Sequence, residues 1–525
     1  MADAITIPSP AAAALIEIHV SYGEQVLKGA KIATLESMKV QIPVTAPASG
    51  RVAALNAAVG QTLQKGAAIC TLTPIKVEMP ERVTEHSDDS RDQILSAYRE
   101  RLHHTLDEGR ETDVAKRHKR GYRTARENLT DLCDPDTFVE YGQLAVAAQR
   151  GRRAYDELKS RTAADGIITG FANINAQAFP DAVSQTAVIV NDYSVLAGTQ
   201  GYFHHQKLDR ILEIAKAKQL PVIMYTEGGG GRPGDTDVAV QIAGLHLTSF
   251  AAWAALSGQV PRIAVNNGYC FAGNAALFGC ADITIATRNS WIGMAGPAMI
   301  EGGGLGVFQP TDIGPVDVQS KNGVIDLVAD DEADATRQAR KILSYFQGCT
   351  EQWSCADQSA LWKLLPADRR YVYDIRKIIE TLVDTDSFVE LRRDFGGGII
   401  TGFIRIEGRP FGLLANDCRV LGGAIDAEAA DKTARFINLC NDFKIPLVSL
   451  CDTPGFMVGP ESETQAAVRR MSDLFIAGAR CTVPIVAIFL RKGYGLGAMA
   501  MAGGSFAKPL YCAAWPSGEF GGMGL

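Results

Sequence analysis

The chain has 525 residues, 46% of them apolar and 21% charged, with a formal net charge of −7. That composition supports a folded protein of three or four domains and excludes extensive disorder. The acidic balance argues against nucleic acid as a main partner, and no apolar run reaches the ~18 residues that a membrane-spanning helix needs.

Residues 5–73 read as short strands separated by glycine turns. The stretch "VSYGEQVLKGAKIATL" (20–35) is echoed by "AAVGQTLQKGAAICTL" (57–72), with both glycines displaced by 37 positions. Two like halves predict a small pseudosymmetric β domain over residues 1–75. Between them, "TLESMKVQI" (34–42) alternates as strands do, and Lys39 falls near the joining hairpin. An edge charge is the plain reading of that lysine; a side chain placed there to be modified is the sharper one.

Past residue 75 the composition turns to proline and charge, so 76–99 is assigned as linker. Apolar residues at Ile94, Leu95, Tyr98, Leu102 and Leu106 give helical spacing over 91–108. "AKRHKRGYRTAR" (115–126) is strongly basic. It reads either as a solvated or subunit-contacting helix face, or as a place for the phosphates of an anionic substrate.

The remainder repeats itself. "GIITGF" occurs at 166–171 and 398–403, "VNDYSVLAG" (190–198) is echoed by "ANDCRVLGG" (415–423), and "LPVIMYTEGGGG" (220–231) by "IPLVSLCDTPGF" (445–456). Self-similarity at a nearly fixed spacing is the mark of duplicated architecture. Two domains, 100–360 and 361–525, are expected. In each, strands alternate with helices and glycines stand at strand exits, the pattern of an α/β fold whose ligands bind at those exits.

Two glycine-rich turns carry the chemistry. "NNGYCFAGNAALFG" (266–279) and "RKGYGLGAMAMAGG" (491–504) each lead from a buried strand into a helix of small residues. Backbone N–H groups there can face a developing negative charge; close helix–sheet packing alone is the plainer explanation of the glycines. "GGGRPG" (229–234) fits a dinucleotide fingerprint only weakly, since its counterpart in the second copy breaks the pattern. All eight histidines lie at or before His246, so chemistry in the second copy cannot rest on a local histidine base. None of the eleven cysteines forms a CxxC pair. They read as reduced thiols which, with a start lacking the basic region of a secretory signal, predict a cytoplasmic protein.

"ESMKV" in a symmetric β domain resembles the biotinyl (biotin carboxyl carrier) domain, with Val40 where methionine is usual. The segments "AKRHKRGYRTARENLTDLCDPDTFVEYG" (115–142), "EGGGGRPGD" (227–235), "CDTPGFMVGPESE" (451–463), "RKGYGLGA" (491–498) and "AAWPSGEFGGMG" (513–524) resemble the carboxyltransferase β-type subunit of biotin-dependent acyl-CoA carboxylases, the acetyl-/propionyl-CoA carboxylase family. Together the two resemblances cover nearly the whole chain.

The resemblance implies an α/β protein: two duplicated crotonase-like (ββα superhelix) carboxyltransferase domains preceded by a small all-β barrel-sandwich biotinyl domain. It implies biotin bound covalently to Lys39, CoA held at Gly229 and Gly230, a thioester oxyanion hole at the amides of Ala272 and Gly273, and a hole for the biotin oxygen at Leu496 and Gly497. No metal is implied. The implied reaction moves the carboxyl group of carboxybiotin to the α-carbon of an acyl-CoA. Carbon dioxide is released in the site, the biotin left behind removes the α-proton, and the resulting CoA enolate attacks it. Two similar enolates need two similar sets of donors, which accounts for the duplication and for the missing histidine. The implied partners are a separate ATP-dependent biotin carboxylase subunit, a biotin protein ligase and further copies of this chain, with the active site between protomers.

Some positions depart from the family pattern. Ala272 and Leu496 stand where Gly-Gly or Gly-Ala is usual, a change that backbone donors survive. "DIGPVDVQSKNGVID" (312–326) replaces a glycine-rich stretch of propionyl-CoA-type members and leaves the acyl preference open. Met499 and Met501 are expected near the acyl pocket. Relatives continue past the position of Leu525, so the second domain is expected to be incomplete or capped by another chain. A biotin-dependent decarboxylase subunit, and a non-catalytic carrier or assembly protein, are the alternative readings; the intact glycine turns argue against the second.

Overall fold

The computed structural model describes residues 4–75, 89–238 and 244–523. The chain divides into two compact units, Met1–Asp92 and Gln93–Leu525.

The first unit holds two four-stranded sheets. One runs Ile5–Pro8, Ala68–Pro74, Gly50–Leu55, Gln25–Val26; the other runs Val40–Thr45, Lys31–Ser37, Ala13–Ile18, Thr62–Leu63. Leu15, Ile32, Leu35, Ile69 and Leu72 are fully buried between them. The internal echo is structural: Gly23 and Gly60 have φ of 82° and 91°, and Gly29 and Gly66 have 88° and 89°. Each pair fills the same left-handed turn position, which glycine adopts without a Cβ penalty.

Of the stretch read as linker, 76–88 lies outside the described residues, and 89–99 is helical, part of the helix Asp89–His103. Helical spacing was legible there, but Ile94, Leu95 and Tyr98 remain exposed.

The second unit contains two seven-stranded sheets of matching design. The first has the order Leu327–Ala329, Ile283–Thr287, Arg262–Asn266, Val222–Tyr225, Gln185–Asn191, Ile167–Asn173, Val139–Tyr141. The second runs Val389–Leu391, Ile399–Ile406, Arg409–Asn416, Leu447–Thr453, Ile485–Tyr494, Tyr511–Ala514, with Glu519–Gly521 also paired to Ile485–Tyr494. Each begins with antiparallel pairs and continues in parallel, with long helices Tyr202–Lys218 and Ala427–Asp442 crossing between strands. This is the duplicated crotonase-like α/β architecture. One apolar core runs through both copies, joining Leu132, Ile342 and Leu343 to Phe403, Ile437 and Phe489. Among the described residues no helix is long and apolar enough to cross a membrane.

The duplication reaches further toward the N-terminus than its sequence echoes. Arg126 grips Glu140 at 3.0 and 3.2 Å, and Arg376 grips Glu390 with the same two-pronged contact. Asp134 accepts from the N–H groups of Asn175 and Ala176, at 3.2 and 2.8 Å; Asp384 accepts from those of Glu407 and Gly408, at 2.9 and 2.7 Å. Charged side chains buried in this way persist because their partners satisfy them.

Candidate active site

Lys39 occupies the two-residue turn between strands Lys31–Ser37 and Val40–Thr45, where Ser37 faces Val40. Met38 has φ of 50° and Lys39 of 66°, so both turn residues are left-handed. This is the turn geometry whose twist matches a hairpin, and glycine or asparagine normally fills it. Met38 is 96% exposed. Non-glycine residues in a strained tip, standing clear of the sheets, are features that folding alone does not require. The exposed lysine side chain suits covalent attachment of biotin through an amide.

The first glycine turn follows strand Arg262–Asn266 and short strand Tyr269–Phe271 and ends in helix Gly273–Gly279. Ala272 is left-handed at φ 53°, and its N–H donates to Gly293 O at 3.1 Å. Of the expected pair, the Ala272 amide is therefore engaged within the protein. The first helical bond is Ala276 N–H to Ala272 O, at 2.9 Å, so Gly273 N–H has no acceptor within its own helix. The loop carrying Gly229 and Gly230 packs directly against this turn. A Cβ at Gly230, whose φ is +86°, would come 2.7 Å from Ala272 Cβ. Gly229 N–H bonds Ala197 O at 3.1 Å and Gly230 N–H bonds Asn274 Oδ1 at 3.0 Å. Both glycines thus shape the loop with their amides already engaged.

The second turn leaves strand Ile485–Tyr494 and enters helix Gly495–Met501 directly. Leu496 is 61% exposed, whereas Gly497 is buried under the 453–456 loop. A Cβ at Gly497 would stand 2.6 Å from the Gly455 carbonyl carbon. Gly455 therefore presses on Gly497 as Gly230 presses on Ala272. Met499 is half-buried, but Met501 belongs to the core shared by both copies, and an acyl-pocket role for Met501 is not what its position allows.

A buried carboxylate anchors each loop. Glu227 receives both guanidinium arms of Arg117, one at 2.9 Å. Burial pushes the Glu227 carboxyl up, and Arg117 opposes that shift. In the second copy Asp452 accepts from Arg491 Nε at 3.0 Å, Tyr373 OH at 2.9 Å and Lys492 N–H at 3.1 Å. Burial, then the Asp452 charge, drive the Tyr373 hydroxyl far up. The basic segment is thereby divided: Arg117 and Arg126 are engaged with buried carboxylates, while Lys119 and Arg120 remain exposed. Arg232 of the weak dinucleotide match is likewise a buried partner of Asp165. Two residues that sequence reading missed also stand here, Gln200 and Asn274, both buried beside Gly273.

Two crotonase-like domains with matching glycine turns, in one chain with a barrel-sandwich domain that offers a lysine at a hairpin tip, define a biotin-dependent carboxyl-transferring enzyme. The sequence matches the carboxyl transferase domain family over residues 116–524 and the biotin-requiring enzyme family over residues 5–72. It is 32% identical over 427 residues to the methylmalonyl-CoA carboxyltransferase 12S subunit of Propionibacterium freudenreichii subsp. shermanii, covering 79% of this chain and 78% of that one. It is 30% identical over 449 residues to the biotin-dependent long chain acyl-coenzyme A carboxylase beta4 subunit of Mycobacterium tuberculosis, covering 82% and 81%. Among solved structures, a single-chain, multi-domain long-chain acyl-CoA carboxylase superposes with a TM-score of 0.80 at 49% identity. That match covers 99% of this chain and spans half the length of the other. The transcarboxylase 12S crystal structure, described as a hexamer assembly, gives 0.72 at 28% identity, covering 83% and 84%. The chain belongs to the carboxyl transferase family, as a biotin-dependent acyl-CoA carboxyltransferase.

Proposed function

We propose that this chain moves a carboxyl group from biotin held on its own Lys39 to the α-carbon of a long-chain acyl-CoA. The observation that carries the reading is the coexistence of two matched glycine turns with an exposed lysine tip in one chain. Biotin held on Lys39 brings the carboxyl group and, once relieved of it, the base for the α-proton.

The chain's own part is to position and to stabilise charge. The thioester oxygen of the acyl-CoA lies at the first turn, with Gly273 N–H as donor and the Gly229–Gly230 loop as its wall. Residues of the second turn would hold the biotin oxygen. Gly497 takes the packing position of Ala272, which supports Gly497 and Ala498, rather than Leu496 and Gly497, as the donors to the biotin oxygen. Donors fixed in place before the reaction stabilise oxyanions without reorganising. Glu227 and Asp452 keep the two loops in register through Arg117 and Arg491.

Long acyl chains are favoured by an apolar segment that leaves the first turn. It follows Gly293, whose carbonyl holds Ala272, and exposes Met294, Met299, Leu305 and Val307. The 49% identical neighbour is a long-chain enzyme, which agrees. An ATP-dependent biotin carboxylase loads the biotin, a biotin protein ligase attaches it, and self-association builds the site between protomers in the cytoplasm. Eleven cysteines without a disulfide among them fit that compartment.

The test co-expresses the chain with a biotin ligase, then supplies a biotin carboxylase, ATP, bicarbonate and acetyl-, propionyl- and longer acyl-CoAs. Mass spectrometry is expected to show biotin on Lys39 and a carboxylated long acyl-CoA. Turnover of short acyl-CoAs alone would remove the chain-length reading, and turnover of none would remove the function.

A further inference from the structure

Gln200 is 3% exposed, yet its Nε2 has no hydrogen-bond partner. Asn274 is fully buried; its Oδ1 accepts from Gly230 N–H, which sets the amide's orientation and leaves Nδ2 without a partner. Both carboxamides stand around the first glycine turn. A Cβ at Gly273 would collide with Gln200 Oε1, and one at Gly228 would collide with Asn274 Nδ2. Buried amide donors without acceptors are uncommon and destabilising.

The second copy builds the same backbone without them. Gln200 N–H donates to Gly230 O at 2.8 Å, and its carbonyl accepts from Arg232 N–H at 2.8 Å. Ile425 does the same with Gly455 O at 3.0 Å and Met457 N–H at 2.8 Å. Ile425 is fully buried, and Met499 takes the position of Asn274 in the repeat. The fold therefore accepts apolar side chains at both places. At these two repeat positions, only the copy whose turn is assigned to the thioester carries amides, and both have an unpartnered Nδ2 or Nε2. A thioester oxygen is a weaker acceptor than the ureido oxygen of biotin, so added donors have most to contribute where its charge develops.

We propose that Gln200 Nε2, supported by Asn274 Nδ2, donates to the thioester oxygen of bound acyl-CoA alongside Gly273 N–H. The proposal rests on the carboxyltransferase reading that places the thioester at this turn. Gln200 is then a catalytic residue, its amide waiting for an acceptor that only substrate brings.

The experiment uses the full biotinylated chain with biotin carboxylase, ATP, bicarbonate and the best acyl-CoA of the panel. In Gln200→Ile, the arrangement the second copy already uses, kcat falls on the order of 10²-fold. KM for acyl-CoA stays within about threefold, and Tm without substrate holds or rises, because an unpartnered buried donor is removed. Gln200→Met repeats the comparison with a flexible side chain that a tight site tolerates. If either folded variant keeps kcat within about twofold of wild type, the proposal is wrong and the carboxyltransferase reading stands. A joint loss of Tm and KM would assign Gln200 a structural role and also overturn the proposal. A wild-type chain that carboxylates no acyl-CoA removes both.

Discussion

Lys207 and Lys432 stand at the same place in the two copies, 225 positions apart, each buried and each donating to two backbone carbonyls. Lys207 reaches Ala164 O at 2.9 Å and also Ile167 O; Lys432 reaches Arg392 O at 2.9 Å and Phe395 O at 3.0 Å. Each therefore ties its long helix to the turn before the first long strand of its sheet.

Desolvation brings both lysines down from 10.5 to about 8. Below pH 8 folded and unfolded chains both hold the proton, and the burial of charge lowers stability in full. Between pH 8 and about 10.5 the folded lysine sheds its proton first, so the unfolded chain binds more protons and stability rises with pH. The shift corresponds to roughly 3 kcal/mol for each lysine. Denaturant unfolding at pH 7.5 and 9.5 is expected to show wild type gaining stability relative to Lys207→Met and Lys432→Met. A difference that stays flat across that interval would mean that neither lysine titrates within it.

At the hairpin tip, Lys39→Arg is expected to abolish biotin attachment while leaving the melting of the N-terminal unit unchanged, because arginine keeps the charge but cannot form the amide. Intact mass and avidin binding report the first, calorimetry the second. Carboxylation by the variant should vanish with its own carrier and return partly when free biotin is supplied at high concentration. Persistent avidin binding by the variant would place the attachment elsewhere.

The α/β class, the duplication, the hairpin position of Lys39 and both glycine turns were legible in the sequence because each leaves a compact signature: a repeat at fixed spacing, strand-like alternation, or glycines at strand exits. The Arg126–Glu140 and Arg376–Glu390 pairs were not, since they lie 250 positions apart rather than 225. The segment between strands Val389–Leu391 and Ile399–Ile406 is much shorter than that between Val139–Tyr141 and Ile167–Asn173, so the echo falls out of step. Only "FVE" survives intact there, at 138–140 and 388–390. Gln200 and Asn274 left no signature because their significance lies in lacking partners, which only packing reveals. The engaged Ala272 amide was hidden for a related reason: its acceptor, Gly293, is distant in sequence.

The second turn separates side chain from backbone. Leu496 is exposed, so Leu496→Ala should leave carboxylation within about threefold, with a stability change inside ±0.5 kcal/mol. Gly497→Ala forces a Cβ into the Gly455 backbone and must shift one loop or the other. Its carboxylation rate should fall by on the order of 10²-fold, because displaced donors no longer meet the developing charge. Circular dichroism should show the fold retained. Equal rates for the two variants would place the biotin oxygen away from Gly497.

The Arg117–Glu227 pair sits under the first loop, with both side chains about nine-tenths buried. Glu227→Gln keeps the shape but leaves a buried guanidinium without its counter-charge, a change that typically lowers stability by about 3–5 kcal/mol. Arg117→Met alone should be comparably damaging, because it leaves the carboxylate uncompensated until it binds a proton. The double variant removes both charges and should be more stable than the sum of the single effects by at least about 1 kcal/mol. Denaturant unfolding of all four proteins measures that coupling. The glycine loop rests on this pair, so kcat should track the same order: wild type highest, the double variant next, the single variants lowest. Strict additivity in stability would show that the two charges act independently, and that the loop is held by its other hydrogen bonds, among them those to Ala197 O and Asn274 Oδ1.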